Sequence, residues 1–547
     1  MDVASYQPGR WRRFYDRWCS LTSLFVLALS AVVIAALLIQ LLDQDLISTT
    51  NIMHKTLASI GAVVTAILSS LGLTHASHST NLAHDDSFEL DLAWYPPKPS
   101  SITNLTAVFN STGVWGFIFN TSHTPDEQYG TYNWCNMPHV RAKEYPQPPA
   151  HYELVYVEVI HRHHLRTPYS SNSFPTEPSP WNCDDIALFS YSSPLTPASP
   201  PSKPAYHSPF TSPLNPFLPS PIGLQGTCAF PQITLPGLTD SHHHGHDLLS
   251  VYFPLITPST AQFRVTNNPI TSQVAGALLS ALLPGTNTNT NPIITPLLIQ
   301  NKETDSLEPK YPCPFSRELF SAIQSTPEWK LHLSLARELF AQLDEISGVP
   351  STDSGFHVSF DHYFDNLSAK QCHSRPLPCS PTGCITQELA DSVYRLGQWE
   401  YSYLYRGSQQ ALNASVAGFG VWIAELLAHV TEVVKGEGGP VKYRHNVAHD
   451  GSISRLLGIL QADEMHWPGM GAEVVFEVFK LEKRYFIRVL YGGQPLKSSS
   501  PMLKGDKNGM IPVEKVIGYL GGLINLRDED GITRHDVGEM CNAPVAA

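Results

Sequence analysis

The run from Tyr152 to Ile160 is β-branched and largely apolar, and it predicts a buried strand. A second strand is predicted from Lys442 to Ala448, followed by a helix from Ser452 to Leu460. Two further runs, Ala472 to Lys480 and Arg484 to Tyr491, predict an antiparallel pair of strands. Strands and helices therefore alternate in the way that is typical of α/β domains.

The segment between these two β-type regions is predicted to be mostly helical. It begins with a short strand from Gln262 to Thr266 and a helix from Thr271 to Leu283. Three amphipathic helices follow, over residues 316–346, 385–405 and 408–435. We therefore expect an α/β fold in which a central, mostly parallel sheet is flanked by helices and carries an inserted, mainly helical cap subdomain.

These elements divide the chain of 547 residues into five parts. A targeting region and a lead-in segment precede the first half of the α/β domain, the cap interrupts the domain, and the second half runs to the end of the chain. The parts are residues 1–76, 77–150, 151–310, 311–436 and 437–547. One large domain with an insertion is thus expected, rather than several independent units.

The charge of the chain argues against nucleic acid as a partner. The 35 lysines and arginines are outnumbered by 48 aspartates and glutamates, which gives a net charge of −13. Proteins that bind the phosphate backbone of nucleic acids usually carry a basic stripe, and this sequence has none.

Two apolar segments near the N-terminus predict entry into the secretory pathway. Residues 19–42 carry no charge, are long enough to span a bilayer, and follow four arginines. A second apolar run, residues 57–73, begins after His54-Lys55 and ends in small residues, as a signal peptide does. Two interpretations stay open. Residues 19–42 are a signal anchor, or the chain naturally starts at Met53 and the segment from Met53 is a complete, cleaved signal peptide by itself. In both interpretations the body of the chain is extracellular or on the cell surface.

The sequence also carries glycosylation acceptors and cysteines that are typical of secreted proteins. The Asn-x-Ser/Thr triplets of the body begin at Asn104, Asn110, Asn120, Asn366 and Asn413. Of the nine cysteines, Cys19 belongs to the apolar N-terminal run, and the others form an even set. Four disulfides can therefore form, and the sequence leaves their pairing open. We expect a glycoprotein that is secreted or tethered to a membrane by its N-terminal segment.

A basic motif that follows the first predicted strand is the candidate for the site of chemistry. It reads Arg162-His163-His164-Leu165-Arg166-Thr167-Pro168. In open α/β sheets, ligands bind beyond the carboxyl ends of the strands, which is where this motif lies. Guanidinium groups present a planar fork of donors that matches phosphate oxygens. A basic turn on the surface is the alternative interpretation.

The motif resembles the Arg-His-Gly-x-Arg-x-Pro signature of the histidine acid phosphatases, the second branch of the histidine phosphatase superfamily. That family also has a His-Asp pair near its C-terminal end, which His449-Asp450 resembles, and an arginine at a strand end between the two motifs, which Arg264 resembles. The resemblance runs from residue 151 to about residue 491. The lead-in segment, with its Trp, Cys and glycosylation acceptors, also resembles fungal secreted members of this branch. Taken without the first motif, His449-Asp450 would cap a helix and Arg264 would pair with a carboxylate.

The resemblance implies hydrolysis of small phosphomonoesters in two steps. His163 is then the nucleophile that forms a phosphohistidine, and Asp450 donates a proton to the leaving alcohol. The groups that bind the phosphate are Arg162, Arg166, Arg264 and His449. The resemblance implies no metal and no other cofactor.

One residue departs from the family signature. His164 stands where the family has a glycine, which permits a close approach of the backbone. We expect its imidazole and the Thr167 hydroxyl to border the pocket, where His164 either crowds the phosphate or donates a hydrogen bond to it. The alternative to an enzyme is therefore a surface protein that binds phosphorylated ligands without turnover, or one whose motif is vestigial. The histidine-rich segment 242–247 is expected to be a solvated loop rather than a metal site.

Overall fold

A computed structural model describes residues 88–113, 134–176, 180–186, 226–283, 295–524 and 537–543. The two apolar targeting segments, at residues 19–42 and 57–73, lie outside the described residues, as does Asn120. The expectations that rest on them stay predictions. The described residues all belong to one unit of the chain, Phe88–Ala547.

A mixed sheet of eight strands forms the centre of this unit, and two further strands, β4 and β5, form a separate hairpin. In chain order the strands are β1 (Glu153–Arg162), β2 (Ala261–Val265), β3 (Leu297–Leu298), β4 (Cys379–Ser380), β5 (Gly383–Cys384), β6 (Tyr443–Ala448), β7 (Glu473–Leu481), β8 (Arg484–Tyr491), β9 (Gln494–Pro495) and β10 (Ile511–Pro512). The order across the sheet is β10-β8-β7-β1-β6-β2-β3, and β9 pairs with β8.

The sheet is parallel on one side of β1 and antiparallel on the other. Strands β1, β6, β2 and β3 run in the same direction, whereas β7 pairs antiparallel with both β1 and β8. The register places Arg162 opposite Ala448, so that β1 and β6 end level with each other. The residues that follow these two strands therefore meet at one edge of the sheet.

The described residues contain thirteen α-helices. In chain order they are α1 (Leu105–Asn110), α2 (Leu235–Tyr252), α3 (Pro269–Leu282), α4 (Pro314–Gln324), α5 (Pro327–Leu335), α6 (Arg337–Ser347), α7 (Ser354–His357), α8 (Asp361–Cys372), α9 (Gln387–Ser402), α10 (Gln410–Lys435), α11 (Asp450–Ile459), α12 (Val513–Leu523) and α13 (Val537–Cys541).

Helices cover both faces of the central strand. Successive side chains of β1 point to opposite faces, because a strand has a period of two. Tyr156 and Ile160 belong to a large apolar cluster that includes residues of α10 and α11. Val157 and Val159 belong to another cluster, with residues of α2 and α3. The strand is thus buried on both faces, and the expected α/β fold is confirmed.

The predicted helices are found, with breaks where local chemistry imposes them. The expected helix over residues 316–346 is divided into three helices. The break before α5 arises because Thr326 caps the start of α5 and Pro327 occupies its first turn. Helix α10 is long and apolar enough to cross a membrane by length and composition. Nevertheless, 72% of its most apolar window is buried inside the fold, as in the core helix of a globular protein.

Among the helices that were not expected from the sequence, two matter for the site. One is α8, which lies between the first and second predicted cap helices. The other is α2, which contains the whole histidine-rich segment 242–247 and replaces the solvated loop that was expected there. Gly245 of α2 explains the packing: a β-carbon at this position would lie 2.6 Å from the carbonyl oxygen of Leu278 in α3, so that only glycine allows the two helices to approach so closely.

Four disulfides are formed, which confirms the even set of eight cysteines. Their presence is typical of proteins of the secretory pathway. The lead-in segment is attached to α8, and α13 is attached to the start of α4. The pairs are Cys135–Cys372, Cys183–Cys228, Cys313–Cys541 and Cys379–Cys384.

One glycosylation expectation is corrected by the structure. Three acceptors are exposed: Asn104, Asn110 and Asn413. In contrast, Asn366 lies on α8 with 0% of its surface exposed. Its Nδ2, the atom to which a glycan would be attached, donates a hydrogen bond of 2.8 Å to the carbonyl oxygen of Asn172. The folded protein therefore has no room for a glycan at Asn366.

Candidate active site

The two sequence motifs lie side by side at the ends of β1 and β6. Arg162 is the last residue of β1, and the backbone nitrogen of His163 donates a hydrogen bond of 3.1 Å to the carbonyl oxygen of Ala448, the last residue of β6. His449 then precedes α11, and Asp450 is the first residue of that helix. The parallel pairing of β1 with β6 thus brings together two segments that are far apart in the sequence.

The imidazole of His163 is held in one tautomer. Its Nδ1 lies 3.0 Å from the carbonyl oxygen of His164, and because a carbonyl only accepts, Nδ1 carries the proton. The lone pair is therefore on Nε2, and Arg166 Nε lies 3.3 Å from that atom. Burial, together with the positive charges of Arg166 and Arg162, holds the pKa of His163 well below its usual value. The ring is therefore neutral and oriented, with its lone pair on Nε2.

The guanidinium of Arg166 is fixed by a buried ion pair. Its NH2 lies 3.0 Å from Oδ1 of Asp365 on α8, and both side chains are at most 4% exposed. The other oxygen of Asp365 accepts hydrogen bonds from the backbone nitrogen of Tyr169 and from Asn172 Nδ2. The guanidinium also lies over the ring of Tyr169, at 4.2 Å from its centroid. These contacts hold the guanidinium of Arg166 beside His163.

Asp450 is held as a carboxylate by two donors. Its Oδ2 lies 3.0 Å from Arg162 NH2 and accepts a hydrogen bond of 2.9 Å from Trp467 Nε1. Burial alone would raise the pKa of Asp450, but the charge of Arg162 and the hydrogen bond from Trp467 outweigh it, so that the pKa falls below its ordinary value. In the site without a ligand, Asp450 is therefore ionised.

Aromatic side chains support these polar groups from behind. The guanidinium of Arg162 lies over the ring of Trp134, at 4.4 Å from its centroid, and Arg162 NH1 donates to the carbonyl oxygen of Pro468 at 2.6 Å. The indole of Trp467 stacks on Tyr401, with ring centroids 3.9 Å apart. These contacts keep water away from one side of the ion pair and fix its geometry.

The ring of His449 lies beside that of His163, with centroids 5.5 Å apart. Its Nε2 forms a hydrogen bond of 2.9 Å with Thr266 Oγ1 and lies 4.0 Å from a carboxylate oxygen of Glu308. Burial lowers the pKa of His449, although Glu308 and Asp450 act in the opposite direction. Thr266 thus orients this imidazole from the end of β2.

A further carboxyl group, Asp361, lies near the same charges at the start of α8. Burial raises its pKa to about 8, and the negative charges of Asp450 and Asp365 act in the same direction. At acid and neutral pH this carboxyl is therefore protonated, and it adds no negative charge to the site.

Arg264 does not join this group, contrary to the expectation. Its guanidinium lies 2.6 Å from Glu425 Oε2 and 3.2 Å from Asp305 Oδ1, so that two carboxylates neutralise it. The reason is the register: Arg264 is paired with Asn446, three residues before His449. The carboxylate pairing that was the alternative interpretation of Arg264 is the one that the structure shows, and Thr266 is the residue of this segment that contacts His449.

The two residues expected to border the pocket have other contacts. His164 Nδ1 lies 3.0 Å from Ser241 Oγ, and His164 Nε2 lies 3.2 Å from His244 Nδ1, both on α2. Thr167 is fully buried, and its hydroxyl donates to the carbonyl oxygen of Ala229 at 2.9 Å. Both ring nitrogens of His164 thus have partners on α2 rather than among the groups around His163.

Residues 153–492 match the family model of the histidine phosphatase superfamily (branch 2). The chain belongs to this superfamily. Among curated branch-2 relatives, 2-phosphoxylose phosphatase 1 of Xenopus tropicalis is 24% identical over 199 residues, which cover 33% of this chain and 36% of the relative. The match thus spans about a third of that relative's length.

Solved structures of two phytases are also similar to this branch-2 chain. The phytase from Citrobacter braakii has a TM-score of 0.45 and 13% identity, with 68% of this chain and 98% of the phytase covered. The phytase from D. castellii has the same TM-score and identity, with 82% of this chain and 95% of the phytase covered.

The structure brings five of the expected residues together, and the sequence motifs do not reveal the side chains that hold them. The five are Arg162, His163, Arg166, His449 and Asp450. The supporting residues are Trp134, Thr266, Asp365 and Trp467. A signal exists for Thr266, which follows β2 at the same sheet edge, whereas nothing local in the sequence marks Asp365 or Trp467.

Proposed function

We propose that this chain hydrolyses phosphomonoesters through a phosphohistidine intermediate. The observation that carries the proposal is the tautomer of His163. Its Nδ1–H donates a hydrogen bond to a backbone carbonyl, and its Nε2, which carries the lone pair, lies beside Arg166. Membership of the superfamily supports the same chemistry. The substrate class is a small phosphate ester, and the proposal involves no metal in the reaction.

In the first step, His163 Nε2 attacks phosphorus and forms an N–P bond while the P–O bond to the leaving alcohol breaks. Arg162, Arg166 and His449 donate hydrogen bonds to the phosphoryl oxygens, where negative charge is concentrated in the transition state. Arg166 Nε, which contacts His163 Nε2 in the free site at 3.3 Å, turns to a phosphoryl oxygen and frees the lone pair.

Asp450 supplies the proton that the leaving oxygen needs. The carboxylate is ionised in the free site because Arg162 and Trp467 stabilise its charge. A bound phosphate dianion competes for Arg162 and adds negative charge beside Asp450, and both effects raise the pKa of this carboxyl. Substrate binding thus converts Asp450 into an acid, and acid conditions favour the reaction.

In the second step, Asp450 accepts a proton from a water molecule as that water attacks phosphorus. The N–P bond breaks, inorganic phosphate leaves, and His163 regains its lone pair. The proton that Asp450 gave to the alcohol is thereby replaced, so that the cycle balances without a further reactant.

The test is a search for the covalent intermediate. The full chain is mixed with a phosphomonoester carrying labelled phosphate and quenched with alkaline denaturant, under which a phosphohistidine survives. We expect label on His163 and the loss of label and turnover in His163→Ala. The matched control is His151→Ala, which removes an exposed histidine outside the site and leaves both intact.

A wild-type protein that binds phosphate but shows neither label nor turnover from acid to neutral pH would overturn the proposal. That result would favour the alternative of a protein that recognises phosphorylated ligands without turnover. The sequence-based argument for this alternative was a pocket crowded by His164, and the contacts of His164 with α2 remove that argument.

We also propose that the protein works outside the cytosol as a glycoprotein. The disulfides support this location, and glycans are expected on the acceptors Asn104, Asn110, Asn120 and Asn413. N-terminal sequencing of the purified protein separates the two interpretations of the N-terminal segments. A mature chain that begins after residue 76 supports a cleaved signal, and a chain retained in membranes supports the anchor.

A further inference from the structure

Three histidine side chains converge in the interior of the fold next to the nucleophile segment. His161 lies on β1, His164 follows that strand, and His244 lies on α2. One ring nitrogen of each lies within 4.8 Å of the corresponding atoms of the other two, and the three side chains are at most 1% exposed. We call this set the triple-histidine cluster. It lies apart from the groups that surround His163 Nε2.

The second ring nitrogen of each histidine faces an acceptor. His161 Nδ1 donates to the carbonyl oxygen of Arg162 at 2.8 Å, and His244 Nε2 lies 2.9 Å from an oxygen of Glu473. The hydroxyl of Ser241 donates its own proton to a backbone carbonyl, so that it accepts from His164 Nδ1 at 3.0 Å. With Glu473 ionised, all three tautomers are fixed with their lone pairs on the converging nitrogens.

This pattern is that of metal-ligating histidines, whose outer nitrogen donates to a carboxylate, a carbonyl or another acceptor. The closest pair of converging nitrogens, His164 Nε2 and His244 Nδ1, is 3.2 Å apart. Two ligands of a tetrahedral Zn²⁺, each about 2.0–2.1 Å from the metal, are separated by about 3.3 Å. The closest pair is therefore already spaced as two ligands of one ion.

A hydrogen-bond network without a metal is the competing arrangement. In it a protonated Glu473 donates to His244 Nε2, and His244 Nδ1 then donates to His164 Nε2. Burial raises the pKa of Glu473 to about 8, so that the network with a protonated Glu473 is the arrangement that a cation has to displace. However, the network leaves His161 Nε2 without any hydrogen-bond partner among the described residues, although the side chain is fully buried. A buried acceptor without a partner is unfavourable, and a metal ion satisfies it.

We propose that His161, His164 and His244 bind a divalent transition-metal cation, with Zn²⁺ as the first ion to test. Imidazole ligands suit Zn²⁺, Cu²⁺ and Ni²⁺ and not Mg²⁺ or Ca²⁺. Three histidines leave one tetrahedral position for a water molecule or another small ligand. The sequence-based expectation was that residues 242–247 do not form a metal site, and the cluster uses just one histidine of that segment.

The role of the ion is to position the backbone rather than to react. Two of its ligands, His161 and His164, flank Arg162 and His163, and the third is on a different element. A bound ion therefore clamps the end of β1 to α2 and fixes the segment from which the nucleophile projects. Because the metal binds the folded cluster and not the unfolded chain, it also stabilises the protein.

The direct test is metal content and coordination in the purified full chain. After incubation with Zn²⁺ and removal of free metal, we expect one tightly held equivalent per chain, and a higher Tm than after treatment with a chelator. Substitution with Co²⁺ is expected to give the intense visible absorption of a tetrahedral site. An octahedral Co²⁺ spectrum, or no bound metal, would overturn the proposal whether or not the protein is an active phosphatase.

Two variants and one control assign the ligands. His244→Gln should lose the bound metal, whereas His243→Gln, an exposed neighbour on the same helix, should keep it. Equal losses in both would show surface binding by the histidine-rich helix and would overturn the proposal. Ser241→Ala is a small change that removes the acceptor for His164 together with the hydrogen bond to its own helix backbone, and it should weaken Zn²⁺ binding by about 10–100-fold. If the three histidines form only the hydrogen-bond network and Zn²⁺ binds elsewhere, Ser241→Ala will leave Zn²⁺ binding unchanged. That result would overturn the proposal.

Discussion

Removal of the indole N–H of Trp467 should shift the pH dependence of turnover, because this group holds Asp450 in its charged form. The donor is 2.9 Å from Asp450 Oδ2, and the indole is only 1% exposed. A hydrogen bond to a charged group contributes about 1.5–3 kcal/mol. One pKa unit corresponds to about 1.4 kcal/mol, so that Trp467→Phe should raise the pKa of Asp450 by about one to two units. Arg162 stays in place and prevents a larger shift.

The measurement is kcat/KM against pH for a phosphate ester of an aliphatic alcohol, whose leaving oxygen needs the proton. Activity falls on the alkaline side as Asp450 loses its proton. This limb should therefore move to higher pH by about one to two units in Trp467→Phe. The ionisation of the substrate itself is the same for both proteins and cancels in the comparison.

The matched control is Trp422→Phe. Trp422 is buried to the same extent and packs against Phe419 and Phe476, and it is not one of the groups that hold Asp450. Both variants should lose stability, by on the order of 1–3 kcal/mol, but only Trp467→Phe should move the alkaline limb. An unchanged limb in Trp467→Phe, or one that moves to lower pH, would refute the reasoning about Asp450.

Three further outcomes are expected. Folding raises the pKa of Asp361 to about 8 from an unfolded value of about 3.9, so that the contribution of this group to stability falls as pH rises between these values; Asp361→Asn should make the urea midpoint fall less, or rise more, over this pH range than in the wild type, and an unchanged slope would contradict it. Replacement of both Cys135 and Cys372 by serine opens a link across 237 residues and should cost about 3–5 kcal/mol in urea unfolding, whereas a loss below 1 kcal/mol would speak against it. Peptide mass spectrometry should find a glycan on Asn413 and none on Asn366, and an occupied Asn366 would show that the described packing of α8 is incorrect.

Features that depend on local sequence were predicted well. The apolar run of β1 and the residues of β6 carry the period and composition of buried strands, so that the ends of both strands were placed to within a few residues. Because parallel strands end at one edge, this also placed His163 and His449 in one site. The even set of cysteines gave the number of disulfides, although not their pairing.

Features that depend on register and on distant packing were not predictable. Arg264 lies on the expected strand, but only the pairing of β2 with β6 shows that it is level with Asn446 and short of the sheet edge. Asp365 contacts Arg166 across 199 residues of sequence, and no periodicity reports such a pair. Helix α2 contains four histidines and two glycines, which have modest helix propensity, and its packing on α3 outweighs that preference.

The position of β1 in the sheet has a consequence for synthesis. During synthesis β1 is made first, and both of its neighbours in the sheet, β6 and β7, are made only near the end of translation. One contact between β1 and β6, the hydrogen bond from the side chain of Asn446 to the carbonyl oxygen of Val159, joins residues that are 287 positions apart. The bond between Cys313 and Cys541 closes later still. A chain released before His449 is therefore expected to carry His163 without the His-Asp pair beside it. The bond to Cys541 can form only in a chain that already contains every residue of the candidate site.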